Sequence, residues 1–583
     1  MISLDIPPDG GGNLPSYRIF SNGTELSTDF VIQSMMVSRK VNKIPTARLV
    51  LLDGSIPQED FATSNGPDLA PGAEVEIQMG YRGEDETVFK GIVVKQGLKS
   101  QHQASSLLTI ELKDEAFRMA IGRKSKYFSE VTDSDVMTEV ISDSGLSPTV
   151  EATTVVHGEM VQFYCSNWDF LLARAEANGR LVLVDDGAVN VAAPNFAEAP
   201  SLNLSFGQNV LEFDLEMDAR QQFSSVITKA WDLAEQAIIE TSSNEPAFGE
   251  QGNISSDELA AVAGLEELPL QHSGRFQNEE LQSWANARLL RSRLSKIRGR
   301  LRIYGNATIR PGATVTIAGL GERFNGTAYV TGVNQVYGGG STWYTDLLIG
   351  LKADWGIEAY DDVMDEPAAA LLPAVSGLQI GVVTALVDDP EQEQRVRVRL
   401  PIVDEGDEGV WARIGCLDAG DGRGTFFRPE IDDEVILGFI NDDPRDPIIL
   451  GALHSSKNPP PFEPSEENSE KGYVSREGLK LVFNDEQKIV GIHTPGDNSI
   501  VLSEEEESIS LKDQHGNSIV LSADGITLDS TKDIVLKAAG DIRMEGNNIE
   551  SSAQASYRAE GSAGLEVSSS GTTTVKGSLV QIN

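Results

Sequence analysis

Adjacent carboxylates are plentiful in this chain, Asp185/Asp186, Asp388/Asp389 and Asp432/Asp433 among them, and residues of this type could cleave a glycosidic bond. That reaction needs two carboxyl groups about 5 to 9.5 Å apart, one acid and one base or nucleophile. Neighbours on a strand point to opposite faces, so adjacent pairs are poorly placed to share a substrate. The sequence holds no His-Glu-x-x-His, no Gly-x-Ser-x-Gly and no phosphate-binding glycine loop. Its two cysteines, Cys165 and Cys416, lie far apart, which indicates neither a disulfide framework nor a thiolate metal site and suits a reducing cytoplasm. No catalytic, cofactor-binding or metal-binding residue is expected, and no cofactor.

The elements that would position any site are mostly strands. A chain of 583 residues with a formal charge of −42 is long enough for three or four domains and too acidic for a broad nucleic-acid surface. Between residues 16 and 120 alternating runs fall at Ser16–Phe20, Ala47–Leu52, Glu74–Met79, Phe89–Lys95 and Leu107–Leu112, with Asn22-Gly23 as a hairpin signal. Pro71-Gly72-Ala73-Glu74-Val75, followed by Phe89–Val94, has a counterpart in Pro311-Gly312-Ala313-Thr314-Val315, followed by Tyr329–Val333. Two copies of one small barrel, near 16–120 and 300–352, is the economical reading, with chance similarity the alternative. Between them Ser134–Ser144 reads as a helix. Ser166 and Asp169 open another over Trp168–Asn178, closed by Gly179. Asp186-Gly187 turns a hairpin, and residues 240–256 read as a loop. Glu280–Arg293 has a helical period and begins a basic cluster of Arg288, Arg291, Arg293, Lys296, Arg298, Arg300 and Arg302, read as a solvated face or intersubunit ion pairs, with polyanion binding the alternative.

A linker at 357–376 leads to five strands between Gly377 and Leu453, which suits an OB-type barrel at 377–454. Few aromatics and many acids argue against that barrel binding nucleic acid. A proline-rich joint at 455–470 precedes a last region, 471–583. From Gly525 on, apolar residues recur about every eight positions: Ile526, Ile534, Ile542, Ile549, Tyr557, Leu565, Thr573 and Val580. Short strands such as Ile526–Leu528 and Asp533–Leu536 are expected between glycine corners. Ordering such a unit costs roughly 1 to 2 kcal/mol per residue, while each buried aliphatic returns only about 1.5 to 3 kcal/mol. One copy cannot hold that shape, so several copies, most simply three, are expected to share an apolar axis. Ile526, Ile534, Ile542, Ile549, Leu565 and Val580 would form the trimer core. An irregular single-chain solenoid or a floppy Ser/Gly-rich tail is the alternative.

The order of parts resembles the VgrG family of contractile injection systems, a tail hub fused to a cell-puncturing spike. Phe163, Ser166–Leu171 and Arg174–Gly179 look like the family's hub helix. Trp411–Ile414, Arg428–Glu430, Asp432–Val435 and Asp442–Gly451 look like the spike's OB domain. Lys90–Lys95 and the compact length look closest to spikes of extracellular phage-tail-like particles.

The resemblance implies a mainly β fold: a hub (1–356) of two barrels and helices, a central OB barrel and a C-terminal intertwined trimeric β-helix or prism. It implies a homotrimer joining a hexameric inner tube and baseplate proteins to a membrane-puncturing needle. Effector cargo and transient contact with a target membrane go with that role. No inserted lysozyme and no appended toxin are expected, and His493 and His515 are too isolated for a paired-histidine iron tip. Gln581, Ile582 and Asn583 would dock a tip protein of the PAAR type. The acidic, Pro/Gly-rich start carries no secretory signal, so synthesis in the cytoplasm and placement at the baseplate end of a particle are expected. Rival readings are a β-helical glycan-cleaving enzyme and a trimeric adhesive or receptor-binding fibre.

Overall fold

In the computed structural model, residues 14–582 are described except 101–104, 248, 250 and 339. The described residues are mostly strand, and they divide into two compact units, one running to Ser376 with Asn441–Pro444, the other Gly377–Ile440 with the residues from Arg445 on.

The first unit is built on a 13-stranded sheet. Its first-half strands are β1 (Pro15–Ser21), β2 (Ile32–Lys40), β3 (Thr46–Leu52), β4 (Glu74–Tyr81), β5 (Glu84–Lys99) and β6 (Leu107–Lys113), with the two-residue strand Thr24–Glu25 paired on β1. Its second half holds β7 (Leu202–Ser205), β8 (Val210–Met217), β9 (Ile297–Tyr304), β10 (Thr314–Ala318), β11 (Gly326–Gly338) and β12 (Thr342–Ile349). The strand order β2-β3-β6-β5-β4 of the first half returns as β8-β9-β12-β11-β10 in the second. The Pro-Gly-Ala motif does the same work in both. Gly72 donates to Val93 O at 2.9 Å and Gly312 to Val330 O at 2.8 Å, while Val93 and Val330 donate back to Ala73 O and Ala313 O. Both glycines sit at positive φ, +99° and +93°, where a side chain would be strained. A register shift follows each valine, between Val93 and Lys95 and between Val330 and Gly332. The copies differ at their ends, where β1 runs antiparallel to β4 but β7 runs parallel to β10.

The halves share this one sheet, because β11 pairs antiparallel with β2, Gln335 standing opposite Val37. Each half has its own core, one around Leu49, Ile77, Phe89 and Ile110, the other around Leu301, Val315, Val330 and Leu347. Trp343 and Tyr337 of the second half pack into the first core. At the seam the buried Gln335 carboxamide is satisfied: its Oε1 accepts from Trp343 Nε1 at 2.9 Å and Thr345 Oγ1 at 2.6 Å, and its Nε2 donates to Asn306 O at 2.8 Å.

Helix α1 (Asp133–Ser142) is capped by Thr132 in a complete capping box with Asp135, and starts and ends slightly before the span expected from sequence. Helix α2 (Asn167–Ala177) is capped by Ser166, which accepts from Asp169 N. Both pack on the Leu181–Asp185 and Ala188–Ala192 hairpin through Val136, Ile141, Leu171, Ala175, Val182 and Val191. Strand Ala237–Ser242 ends inside the 240–256 stretch read as loop, and a helix begins at Ser256. Helix α3 (Asn278–Ser295) packs Ala285 and Leu289 on Val226.

In the second unit β13 (Gln379–Ala385), β14 (Val396–Arg399), β15 (Val410–Ile414), β16 (Glu434–Phe439) and β17 (Pro447–Ala452) close a five-stranded barrel in the order β13-β14-β15-β17-β16. Val383, Val398, Ala412, Val435 and Leu437 fill it. Beyond it lies a seven-stranded antiparallel meander: β18 (Glu470–Val474), β19 (Lys480–Asn484), β20 (Ile489–His493), β21 (Ser499–Ser503), β22 (Ser508–Lys512), β23 (Ser518–Ser522) and β24 (Gly525–Asp529). No strand is assigned among the described residues after Asp529, and Asp533–Leu536, expected as a strand, is not one. A ladder needs a neighbour for its backbone groups, and beyond β24 one chain supplies none.

Candidate functional site

Each of the three carboxylate pairs has at least one member engaged in structure. Asp185 and Asp186 both accept from the guanidinium of buried Arg39, Asp186 at 2.8 Å. Asp389 accepts from Arg395 at 2.6 Å, and Asp433 Oδ2 accepts from Glu430 N at 2.8 Å. Among the described residues no group of three or more His, Cys, Asp and Glu could hold a metal ion. No helix among them is long and apolar enough to cross a membrane.

Helix α2 acts as a clamp. Asn167 is buried, accepts from Gln162 and donates to Ser144, while Trp168, Phe170 and Leu171 face the core. Arg174 Nε donates to Asp133 Oδ1 at 2.5 Å, and His157 Nε2 lies 2.9 Å from Asp133 Oδ2. Burial alone would raise the Asp133 carboxyl, but the hydrogen bond and charge of Arg174, with Asn178 and His157, hold it below the ordinary carboxylate range. Glu176 goes the other way. Burial pushes it up despite Arg291 at 3.6 Å, an accepted bond from Gly356 N at 2.7 Å and another from Asn42.

The basic cluster is held largely in ion pairs within the chain: Arg288 with Glu358, Arg293 with Glu245, Arg298 with Glu216 and Asp218, and Arg300 and Arg302 with Asp346 and Glu212. Arg293 is almost fully buried and also donates to Phe223 O. These partners are distant in sequence but close in space, and they meet the charges inside one chain.

The meander presents the chemistry that remains, an apolar surface. Its side chains form one continuous ladder across the strands, Leu481 opposite Ile492, Ile492 opposite Ile500, Ile500 opposite Leu511, Leu511 opposite Ile519 and Ile519 opposite Leu528. Alternation puts all of these on one face. That face is open: Ile500 and Ile519 are each 40% exposed and Ile526 72%. Turns are fixed by side chains. Asp513 Oδ1 accepts from Asn517 N and His515 N, and Asn498 and Asn517 accept from Gln514 N and Thr531 N in the next turn. Its bond from the Asn517 side chain first, and those amides, hold Asp513 below the ordinary carboxylate range.

The expected core residues are thus partly placed. Ile526 lies on β24 opposite Leu521. Ile534, Ile542, Ile549, Leu565 and Val580 lie past the last strand, all exposed, the first three equally so at 55%. Gln581 and Ile582 are exposed, and Asn583 lies outside the described residues. The β19–β23 part of the ladder went unread from sequence. Its signal is Asn498-Ser-Ile-Val-Leu-Ser503 recurring as Asn517-Ser-Ile-Val-Leu-Ser522, in phase with the turns.

A family model described as the Alg8 N-terminal domain matches residues 12–337, more than half of the chain. Two more follow in order: a type VI secretion system/phage-baseplate injector OB domain at 379–454 and a phage baseplate V C-terminal trimerisation domain at 489–555. The type VI secretion system spike protein VgrG1b of Pseudomonas aeruginosa is 25% identical over 395 residues, 60% of this chain and 50% of its own length. The chain belongs to the family of the Alg8 N-terminal domain and is similar to VgrG and phage-tail baseplate spike proteins.

Another spike-family relative, VgrG2a of the same organism, is 30% identical over 134 residues, 22% of this chain and 16% of that protein. The chain therefore spans about half the length of the first of these relatives and less of the second. Among solved structures, a tail protein from Neisseria meningitidis aligns at TM-score 0.44 and 15% identity over 59% of this chain and 99% of that one. The E. coli c3393 protein, described as a type VI secretion component similar to T4 tail proteins gp27 and gp5, aligns at 0.38 and 11% over 75% and 99%.

Proposed function

We propose that three copies of this chain form the central spike of a contractile injection machine, without enzymatic activity of their own. The first unit is the hub seated on a hexameric inner tube and baseplate, and the meander with the residues after it is the needle. Ile526, Ile534, Ile542, Ile549, Leu565 and Val580 line its shared axis, and the end at Gln581, Ile582 and Asn583 receives a PAAR-type tip protein. Effector cargo travels with the trimer, and contraction drives it through a target membrane. The Lys90–Lys95 context favours an extracellular phage-tail-like particle as its setting.

One observation carries this reading. A single-layer sheet leaves a continuous Ile/Leu ladder open to water within a stretch matched by a trimerisation domain. Such a face is covered in the functional state, since apolar area returns about 25 cal/mol per Å2 when removed from water. The trimer covers it with copies of itself. Light scattering of the full-length chain after size exclusion is the test: a mass three times 62.9 kDa is expected, and a folded monomer would overturn the proposal.

A further inference from the structure

We infer that a cavity where α1, α2 and α3 meet binds an arginine side chain of a partner protein. Its volume is about 140 Å3, and Asp133, Arg174, Phe276, Glu280, Trp284 and Trp355 line it. Asp133 opens α1, Arg174 lies in the last turn of α2, and Trp355 follows the last strand of the large sheet. Glu280 and Trp284 are one turn apart on α3 and so share a face. Gln277 Nε2 donates to Val156 O at 2.8 Å, which fixes the start of α3 against the strand Val156–Cys165.

The cavity has an aromatic side and a polar side. Phe276 and Trp284 stack with ring centroids 6.0 Å apart, and Trp355 supplies a second indole. All three are only partly buried, so a side chain arriving from solvent can reach them. On the polar side Asp133 is already engaged by Arg174 and His157. Its carboxyl is held below the ordinary range, first by its bond from Arg174 against the cost of burial, so it remains an acceptor and His157 donates to it through Nε2. The neutral ring then turns an unprotonated Nδ1 toward Glu280, which leaves Glu280 without a donor. Among the described residues Glu280 accepts no hydrogen bond, and the one basic nitrogen within 4.0 Å of it is that Nδ1. The Glu280 side chain is 25% exposed, so its carboxylate has lost much of its water and gained no partner in return. Arg174 lines the cavity too, but Asp133 matches its charge, and the net charge left is that of Glu280.

Elsewhere in the chain this combination holds arginine. Four arginines lie over an aromatic ring and pair with a carboxylate at once: Arg18 with Phe20 and Glu25, Arg288 with Trp355 and Glu358, Arg302 with Tyr344 and Asp346, and Arg397 with Trp411 and Glu408. A guanidinium is planar, stacks on aromatic faces and carries several donors in a fixed fork, so an indole beside a free acceptor suits it better than a compact ammonium. Size agrees as well. A cavity of about 150 Å3 accepts benzene, and a guanidinium with two methylenes has about as many non-hydrogen atoms. The formal charge of −42 draws a basic partner toward the chain from a distance.

Tryptophan fluorescence of the full-length chain reads the site, since Trp284 and Trp355 line it. The probes are an acetylated and amidated Gly-Arg-Gly tripeptide, its citrulline counterpart, which keeps the shape and loses the charge, and its lysine counterpart. The arginine peptide is expected to change the emission saturably, and the citrulline and lysine peptides to bind more weakly, citrulline by about tenfold. Glu280→Gln keeps the shape of the side chain and is expected to weaken the arginine peptide by about the same factor. Glu25→Gln, at a carboxylate outside the cavity, is expected to leave the titration unchanged.

Equal responses to the arginine and citrulline peptides, or an unchanged affinity in Glu280→Gln, would overturn the inference. Equal affinity for the lysine peptide would overturn the guanidinium assignment. A second copy of the chain is the other possible source of the arginine. In that case the assembled chain would not respond while an Ile519→Asp variant that fails to assemble would, and this result would overturn the partner. The site does not depend on the spike reading: a folded monomer by light scattering that still binds the arginine peptide overturns that reading and leaves the site standing.

Discussion

The 13-stranded sheet of the first unit, antiparallel except for its β7/β10 pair, and the antiparallel meander of the second satisfy their side chains in opposite ways. In the hub each half closes over its own core, and Leu49, Ile77, Leu301 and Leu347 are fully buried within one chain. In the meander the same residue types, at the same period of two, lie on a face that one chain leaves open. Sequence periodicity alone does not separate the cases. The difference lies in the strand order: in the first unit strands β1 to β6 all send side chains into one core, whereas the short turns of the meander return only to the adjacent strand.

A charge placed in each region breaks the comparison most sharply. Leu347→Asp should unfold the hub of a single chain, because an unpaired carboxylate in a dry core cannot be tolerated. Ile519→Asp, like Ile534→Asp or Ile542→Asp, should leave the fold of each chain intact by circular dichroism but reduce the light-scattering mass from trimer to monomer. An unchanged trimer in all three needle variants would show that the Ile/Leu face is not the shared interior.

A second prediction concerns a buried charge inside the hub. The Asp133 carboxyl is held below its ordinary value of 3.8, so its stabilising contribution is present above that value and is lost as pH falls through the lower folded-state value. Asp133→Asn leaves Arg174 without its carboxylate, and removing one partner of a buried pair costs about 3 to 5 kcal/mol. Urea unfolding at pH 7 should show that loss, and the difference from the unchanged chain should shrink as the pH is taken below 3.8. A gap constant with pH would assign the cost to packing instead. The smallest effect is expected at Ser166→Ala, which removes the cap of α2 and should cost about 1 kcal/mol, read as a modest fall in the urea midpoint of the hub with the trimer mass unchanged.

Local signals made much of this legible. Asn22-Gly23 and Asp186-Gly187 turn hairpins at positive φ, and Ser166 opens α2 where its spacing to Asp169 places it. The Pro-Gly-Ala motif was visible as a repeat, and its hydrogen bonds recur in both halves. What the sequence hid is non-local. Strand β2 was missed because its buried face carries Arg39, whose charge is met by Asp185 and Asp186 nearly 150 positions away. The partners of the basic cluster were hidden for the same reason, since Arg291 finds Glu176 and Arg293 finds Glu245 across the fold. Past Asp529 the alternation is present in the sequence but has no ladder to join in one chain.

The internal seam also sets a clock on synthesis. Strand β2 ends at Lys40, while its partner β11 begins at Gly326, so the ribosome must add about 290 residues before the joint can form. At roughly 5 to 20 residues per second that is on the order of 15 to 60 s. Throughout that interval a nascent chain displays the edge that its own later half must claim, and a neighbour on the same message displays the same edge. Swapped halves, with β11 of one chain seated on β2 of another, are therefore the misassembly to which this architecture is exposed, and slowing elongation between residues 40 and 326 would lengthen the exposure.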